Sequence, residues 1–385
     1  MSSISRTVWI LSLISLCTDA ASEMLYPVMP VYLKTIGFSV IFIGILEGLA
    51  EAVSGLSKGY FGKLSDVTGK RVPFVRLGYT LSAISKPMLA FFTYPLWVFF
   101  SRTTDRLGKG IRTGARDALL SDEASPETKG KVFGFHRSMD TMGAVIGPAF
   151  ALVYLYYNPT HYKGLFLIAF IPGILAILAT LFLKQKKNPS PKEKQKVSFF
   201  SFLNYWKQSD IRYRKLVIGL LIFALFNSSD VFLLLKVKES GVSDTYVIGL
   251  YIFYNLVYSL LAFPLGIIAD KLGMKKIFIS GLIIFSVVYA GMGITTELWW
   301  FVILFFLYGI YAAATEGIAK AWISNIADKK DSATAIGTYA GFQSICSFFA
   351  SSLTGLIWFQ WGSTTAFISA SIVTSFVVIY FLLSE

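Results

Sequence analysis

Apolar stretches of about 20 residues follow one another down this chain, separated by short polar breaks, and twelve can be counted. They run over 8–31, 40–62, 73–94, 96–119, 132–156, 163–183, 214–235, 245–267, 276–294, 298–322, 333–357 and 364–383. A stretch of that length crosses the roughly 30 Å hydrocarbon layer as a helix, and only helices and closed barrels satisfy their backbone polar groups there. The expectation is an all-α integral membrane protein with twelve transmembrane helices. Composition agrees, since 55% of the 385 residues are hydrophobic and 15% charged, whereas soluble domains carry about a quarter. A soluble domain, a disordered chain and a disulfide scaffold are excluded. The first span is too long for the apolar core of a cleavable signal and carries Asp19 and Glu23, so it is expected to stay as a helix. Cys17 and Cys346 sit far apart inside spans without metal-ligand spacing and read as inert buried thiols.

The formal net charge of +13 would point to nucleic acid in a soluble protein, so its placement decides its meaning. Most loop Lys and Arg follow spans 2, 4, 6, 8 and 10, while the odd-numbered loops hold few, among them Lys34, Lys163 and Lys238. By the positive-inside rule the even-numbered loops and both termini are cytoplasmic, in the inner (cytoplasmic) membrane of a cell. The longest break, 184–215, carries ten Lys and Arg against Glu193 and Asp210 and includes KQKKNPSPKEKQK. It reads as a solvated linker between two halves, with no nucleic-acid partner.

The halves repeat one another. GKLSDVTGKR, with Asp66, recurs as GIIADKLGMKK, with Asp270, 204 residues later. ALLSDEASPETKGKVFG (118–134) aligns without a gap on AWISNIADKKDSATAIG (321–337) at a spacing of 203. Two independent segments agree on one repeat length, so the expected organisation is a six-helix bundle over 1–184, a basic linker over 185–213 and a second six-helix bundle over 214–385.

These residues resemble the major facilitator superfamily of secondary transporters. Gly62, Asp66, Gly69, Lys70 and Arg71 match its G-x-x-x-D-x-x-G-K/R-K/R loop between helices 2 and 3, and Gly266, Asp270, Gly273, Lys275 and Lys276 repeat that pattern between helices 8 and 9. Arg106 with Gly110 fits its R-x-x-x-G pattern in helix 4, and Lys129-Gly130-Lys131 with Gly134 resembles its start of helix 5. DRLGKGIRTGARDALLSD (105–122) looks like the signature of a little-characterised prokaryotic branch, with Ala115 where that branch carries proline and with NSSDVFLLLK (227–236) as a second related pattern. The resemblance implies a 6+6 fold, and a conformational latch at Asp66, Lys70 and Arg71 with its counterpart at Asp270. It leaves the substrate open, because one fold serves many solutes.

Ionisable groups inside spans are costly and mark candidate sites. Span 4 carries Arg102, Asp105, Arg106, Lys109, Arg112 and Arg116, which at 100° per residue fall within an arc of roughly 120°. Such a stripe must line water or meet carboxylates, while Gly108, Gly110 and Gly114 on other faces permit close helix packing. Arg112, Arg116 and Asp117 lie toward the cytoplasmic end and read as gate residues; Arg106 reads as a cavity residue, against a buried ion pair with Asp19 or Glu23. On span 1, Asp19, Glu23, Tyr26 and Pro30 share a face, and so do Glu47, Glu51, Ser54 and Lys58 on span 2. Asp19 and Glu23 are the candidate proton sites, because a carboxylate in a partly dry cavity changes its affinity for protons as the cavity rearranges. Span 5 adds His136, Arg137 and Asp140. The other half offers Asn227, Asp230, Asn255, Tyr258 and Glu316, with Lys320 beside Glu316. Lys86 is expected to pair with a carboxylate rather than bind substrate.

A membrane transporter working by alternating access is the function these features favour. No G-x-x-x-x-G-K-S/T motif supports ATP hydrolysis, and no H-E-x-x-H or G-x-S-x-G motif supports an intramembrane enzyme. Proton-coupled efflux of a small organic compound comes first. Uptake or exchange of a small anion held by Arg106 and Arg137 is the alternative, and a metal substrate is disfavoured by two His and no soft-ligand cluster. The expected partners are a small solute, a proton or other coupling ion and the lipid bilayer, for a monomer with no cofactor and no bound metal.

Overall fold

The computed structural model describes residues 4–184 and 198–383, and every regular element in it is helical. The core of the basic linker, 185–197, lies outside the described residues. In chain order the α-helices are α1 (Arg6–Glu23), α2 (Met29–Thr35), α3 (Val40–Thr68), α4 (Val72–Phe91), α5 (Pro95–Asp122), α6 (Lys129–Tyr157) and α7 (Tyr162–Thr180). They continue with α8 (Asn204–Gln208), α9 (Ile211–Ala224), α10 (Val231–Glu239), α11 (Asp244–Leu272), α12 (Met274–Ile294), α13 (Leu298–Ile326) and α14 (Ser332–Leu383).

Local chemistry sets many of the boundaries. Ser5 caps α1 by accepting from the N–H of Val8 at 3.3 Å, and Asp210 caps α9 by accepting from the N–H of Arg212 at 2.7 Å. Pro95 opens α5, where its missing N–H costs nothing. Among the described residues, α6, α7, α11, α12, α13 and α14 are long and apolar enough to cross a membrane on length and hydropathy. Six charged side chains on one face keep α5 from matching that pattern.

Two of the expected spans differ from a plain helix. Span 1 is interrupted between Glu23 and Met29, and span 7 between Ala224 and Val231. The first interruption follows from Pro27 and Pro30, which cannot continue the hydrogen-bond ladder. The second falls on the run Asn227-Ser228-Ser229-Asp230, whose short polar side chains compete for backbone groups. Spans 11 and 12 are, as expected, two helices, which meet within α14 at a kink at Gly362, whose φ of 86° and ψ of 165° only glycine adopts without strain.

The chain forms two compact units, and their boundaries cut through helices. One comprises 1–125, 139–209 and 327–344; the other comprises 126–138, 210–326 and 345–385. The first segment of α6 thus belongs with the carboxy-terminal helices, and the first turns of α14 with the amino-terminal ones. Within the first unit, Gly78 of α4 packs on the backbone of Gly108 in α5, and Gly114 of α5 lies against Gly62 of α3. Gly143 and Gly147 of α6 meet the backbone of α1 beside Asp19 and Glu23. Residues 24–33 bury Met24, Leu25, Val28, Met29, Tyr32 and Leu33 in an apolar core with Leu165, Phe166 and Ala169 of α7. The second unit is aromatic inside, with Phe285 stacked on Tyr289 at 3.9 Å and Phe223 edge-on to Phe285 at 4.9 Å.

Candidate functional site

The charged stripe of span 4 is largely folded inward in the first unit. Arg102, Asp105, Arg112 and Arg116 are buried, Arg106 is half-buried and Lys109 exposed. Lys86 reaches from α4 to the carboxylate of Asp105 at 2.8 Å, the carboxylate partner expected for it. Arg112 donates to Ser82 at 2.5 Å and covers the ring of Tyr79 at 4.5 Å; Arg116 pairs with Asp117 at 2.8 Å. Asp140 accepts from Ser15 of α1. Asp19 and Glu23 are half-buried on α1, and Tyr26 is exposed in the break that follows. The side chains of Pro30, Glu47 and Glu51 lie outside the described residues. Cys17 and Cys346 are free and half-buried, more open than the buried thiols expected.

The second unit gathers its polar groups around the break between α9 and α10. Asp230 accepts from the hydroxyl of Tyr308 at 2.6 Å with one oxygen and from Tyr254 with the other. Asn227 donates to Tyr311 at 2.9 Å, and the N–H of Ser229 donates to the Oγ of Ser351 at 3.1 Å. Arg137, near the start of α6, pairs with Glu316 of α13, donates to the hydroxyl of Tyr258 and lies over its ring at 5.3 Å. Asn255 is buried and donates to the carbonyl of Tyr251 on its own helix. The pairing of Arg137 with Glu316 was not legible in the sequence, where Lys320 is the cation nearest Glu316.

At the end of each unit that carries the repeated loop motif stands the same device. Asp66 accepts from the N–H and the hydroxyl of Thr334, at 2.6 and 2.7 Å, at the amino end of α14. Asp270 accepts from the N–H groups of Gly130 and Lys131, both at 2.7 Å, at the amino end of α6. Thr334 is 203 residues beyond Lys131 and Asp270 is 204 beyond Asp66, so the two caps are one contact made twice. Carboxylates at helix amino ends satisfy orphan N–H groups and meet the positive end of the helix dipole. Around Asp66 the device is reinforced: Arg71 reaches Asp66 at 3.3 Å and Asp122 at 3.0 Å, with both members of the first pair almost wholly buried. Burial pushes the Asp66 carboxyl up to about 6 against the opposing pull of Arg71 and Thr334, and it raises Asp270 as well. Lys70, expected in the latch, points its side chain outward; its carbonyl accepts from Ser65.

The model of the Major Facilitator Superfamily matches residues 11–253 and 231–385. The chain belongs to the major facilitator superfamily. An uncharacterised MFS-type transporter of Methanocaldococcus jannaschii is 32% identical over 380 residues, covering 95% of this chain and 94% of that one. A multi-drug resistance efflux pump PmrA homolog of Lactococcus lactis is 23% identical over 320 residues, covering 80% and 77%. The crystal structure of the human organic anion transporter MFSD10 superposes with a TM-score of 0.82 at 16% identity, over 99% of this chain and all of the other. This superfamily member is therefore a multi-pass membrane transporter of the twelve-helix fold, not an enzyme. The repeated aspartate caps sit on the loop motifs that carried the resemblance.

Proposed function

We propose that this transporter exports a small organic compound in exchange for protons by alternating access, as a monomer in the cytoplasmic membrane with both termini cytoplasmic. The observation that carries the reading is the pair of interrupted helices one repeat apart. From Glu23 to Ala224 is 201 residues and from Met29 to Val231 is 202, close to the repeat spacing. In transporters built from repeats, helices broken at corresponding positions flank the solute near the bilayer midplane. Asp19, Glu23 and Tyr26 lie beside the first break, and Asn227 and Asp230 within the second. Asp19 and Glu23 take up and release protons as their surroundings alternate between wet and dry. Arg102, Asp105, Arg106, Lys109 and Asp140 in the first unit, and Arg137, Asn255, Tyr258 and Glu316 in the second unit's polar cluster, are the candidate solute-binding residues. Asp66, with Arg71, Arg112, Arg116 and Asp117, in the first unit, and Asp270 in the second, act as the gate residues that are held and released in each cycle. The kinship with the Lactococcus lactis efflux pump homolog supports outward movement of organic compounds.

The basic face of α5 favours a second reading, uptake or exchange of a small anion at Arg106. The commitment of Arg137 to Glu316 weighs against it, because that guanidinium is already neutralised. Everted membrane vesicles given external ethidium and an acid interior separate the two. Export predicts gradient-driven ethidium accumulation that is lost in Asp19→Asn/Glu23→Gln. Ethidium flux indifferent to the gradient, together with anion uptake lost in Arg106→Gln, would install the second reading.

A further inference from the structure

A groove of about 520 Å³ runs between α12 and α13 in the second unit, opening beside the turn 295–297 that joins them. Both helices are long and apolar enough to cross a membrane, so this turn lies at the boundary between hydrocarbon and water. Val287 and Ile294 of α12 and Ile303 of α13 form exposed apolar walls. The floor is low because Gly291 has no side chain: a Cβ there would fall 2.6 Å from Leu304, which instead sits buried against α12. Glu297 begins α13, its carbonyl accepting from the N–H of Phe301 at 3.3 Å. From Glu297 to Leu307, at the inner end of the groove, is ten residues, about 15 Å. That is half of the roughly 30 Å hydrocarbon layer, so the slot is one leaflet deep and suits a single acyl chain. Its mouth is dipolar. Among the described residues, Glu297 is the one ionisable side chain lining the groove, and no ion pair takes up its carboxylate. Trp300, with its indole exposed, stands three residues on, so the two side chains are neighbours on one helix face. A carboxylate beside an aromatic face attracts an ammonium through charge and ring quadrupole together. Next to them, the first N–H groups of α13 have no intrahelical partner and form the positive end of the helix dipole, which attracts phosphate oxygens.

We infer that this groove binds one membrane phospholipid with a primary ammonium headgroup. The acyl chain lies between α12 and α13, the ammonium meets Glu297 and Trp300, and the phosphate meets the amino end of α13. A glycerol headgroup offers the phosphate but no cation for Glu297, and a choline headgroup has no N–H to donate to the carboxylate. The site is separate from the residues assigned above to solute and proton, so it stands whatever the transporter carries.

The test is native mass spectrometry of the purified full-length protein, delipidated in detergent and titrated with palmitoyl-oleoyl phosphatidylethanolamine, phosphatidylcholine or phosphatidylglycerol. The expected result is one phosphatidylethanolamine retained about five- to tenfold more tightly than either of the others. Glu297→Gln is expected to erase that preference while leaving phosphatidylglycerol binding undiminished, and Glu297→Asp to keep it in part. Val287→Trp, which fills the groove from an exposed position on α12, should lower phosphatidylethanolamine binding about fivefold or more, and Ile303→Trp repeats the check from α13. Melting temperatures establish that each variant is folded. Equal retention of the three lipids, a preference that survives Glu297→Gln, or binding indifferent to both groove-filling variants would each overturn the proposal. So would a dimer mass that both groove-filling variants split into monomers, since a second copy of the chain would then cover the groove.

Discussion

Single side chains carry two contrasting electrostatic arrangements. Lys86 and Asp105 are buried together, but their surroundings are unequal: Arg102 and Arg106 also attract Asp105, while Arg102 and Arg112 repel Lys86. Lys86→Met therefore leaves Asp105 with other cations nearby, whereas Asp105→Asn leaves Lys86 among like charges. Asp105→Asn is expected to cost about 3–5 kcal/mol and Lys86→Met distinctly less, read as melting temperatures of the purified variants; equal losses would contradict the asymmetry. Asp66 gives a prediction in pH. Its carboxyl is raised from 3.8 to about 6 in the folded chain, so the native state holds a proton there that the unfolded chain has already lost. That contribution is complete below about pH 4 and is lost as pH rises through 6. Wild-type stability relative to Asp66→Asn should fall across this window and level off above it, as differential scanning fluorimetry of both proteins over pH 4–7 will show. The loop motif pointed to Asp66 from sequence alone. The partner of Lys86 was legible only as a carboxylate, since which one depends on how α4 packs on α5.

At the scale of elements, glycines set how closely helices approach. A Cβ on Gly62 would fall 2.5 Å from the carbonyl oxygen of Ala333, and one on Gly134 equally close to that of Ala262. Gly62→Ala is expected to cost about 1–3 kcal/mol and to loosen the cap on α14. A cysteine placed at Thr334, on a background without Cys17 and Cys346, should then react faster with a membrane-permeant maleimide than it does beside Gly62; an unchanged rate would mean that the close approach does not hold the cap. Gly362→Ala should cost about 1–3 kcal/mol for its strained backbone, with no neighbour to clash against. The twelve apolar spans were readable because lipid imposes their length. The interruptions of spans 1 and 7 were missed because hydropathy averages over Pro27 and Pro30, and over the run from Asn227 to Asp230. These breaks carry the functional reading, so the least apolar residues of a span repaid closer attention than its mean.

For the whole molecule, the repeat is the organising fact. The 203–204-residue spacing was read from two sequence segments, and the caps at Asp66 and Asp270 realise it as one geometry used twice. The carboxy-terminal polar cluster was harder to read, because Arg137 comes from the amino-terminal half of the sequence and Glu316 from the other. Topology offers its own check. Single cysteines in the 198–210 stretch and at Thr296 should be labelled by an impermeant maleimide from opposite faces of the membrane, the first only in everted vesicles; labelling of both from one face would refute the orientation drawn from the basic loops.

The aspartate caps also have a history in time. Gly130 receives its cap from a residue 140 positions later, and Asp66 waits for Thr334, 268 positions later. At roughly 5–20 residues per second of synthesis, the end of α6 stays uncapped for something like 7–28 s and Asp66 idles for about twice as long. A ribosome thus delivers a half-finished chain whose cytoplasmic helix ends are bare, with water alone on their N–H groups until the second repeat emerges.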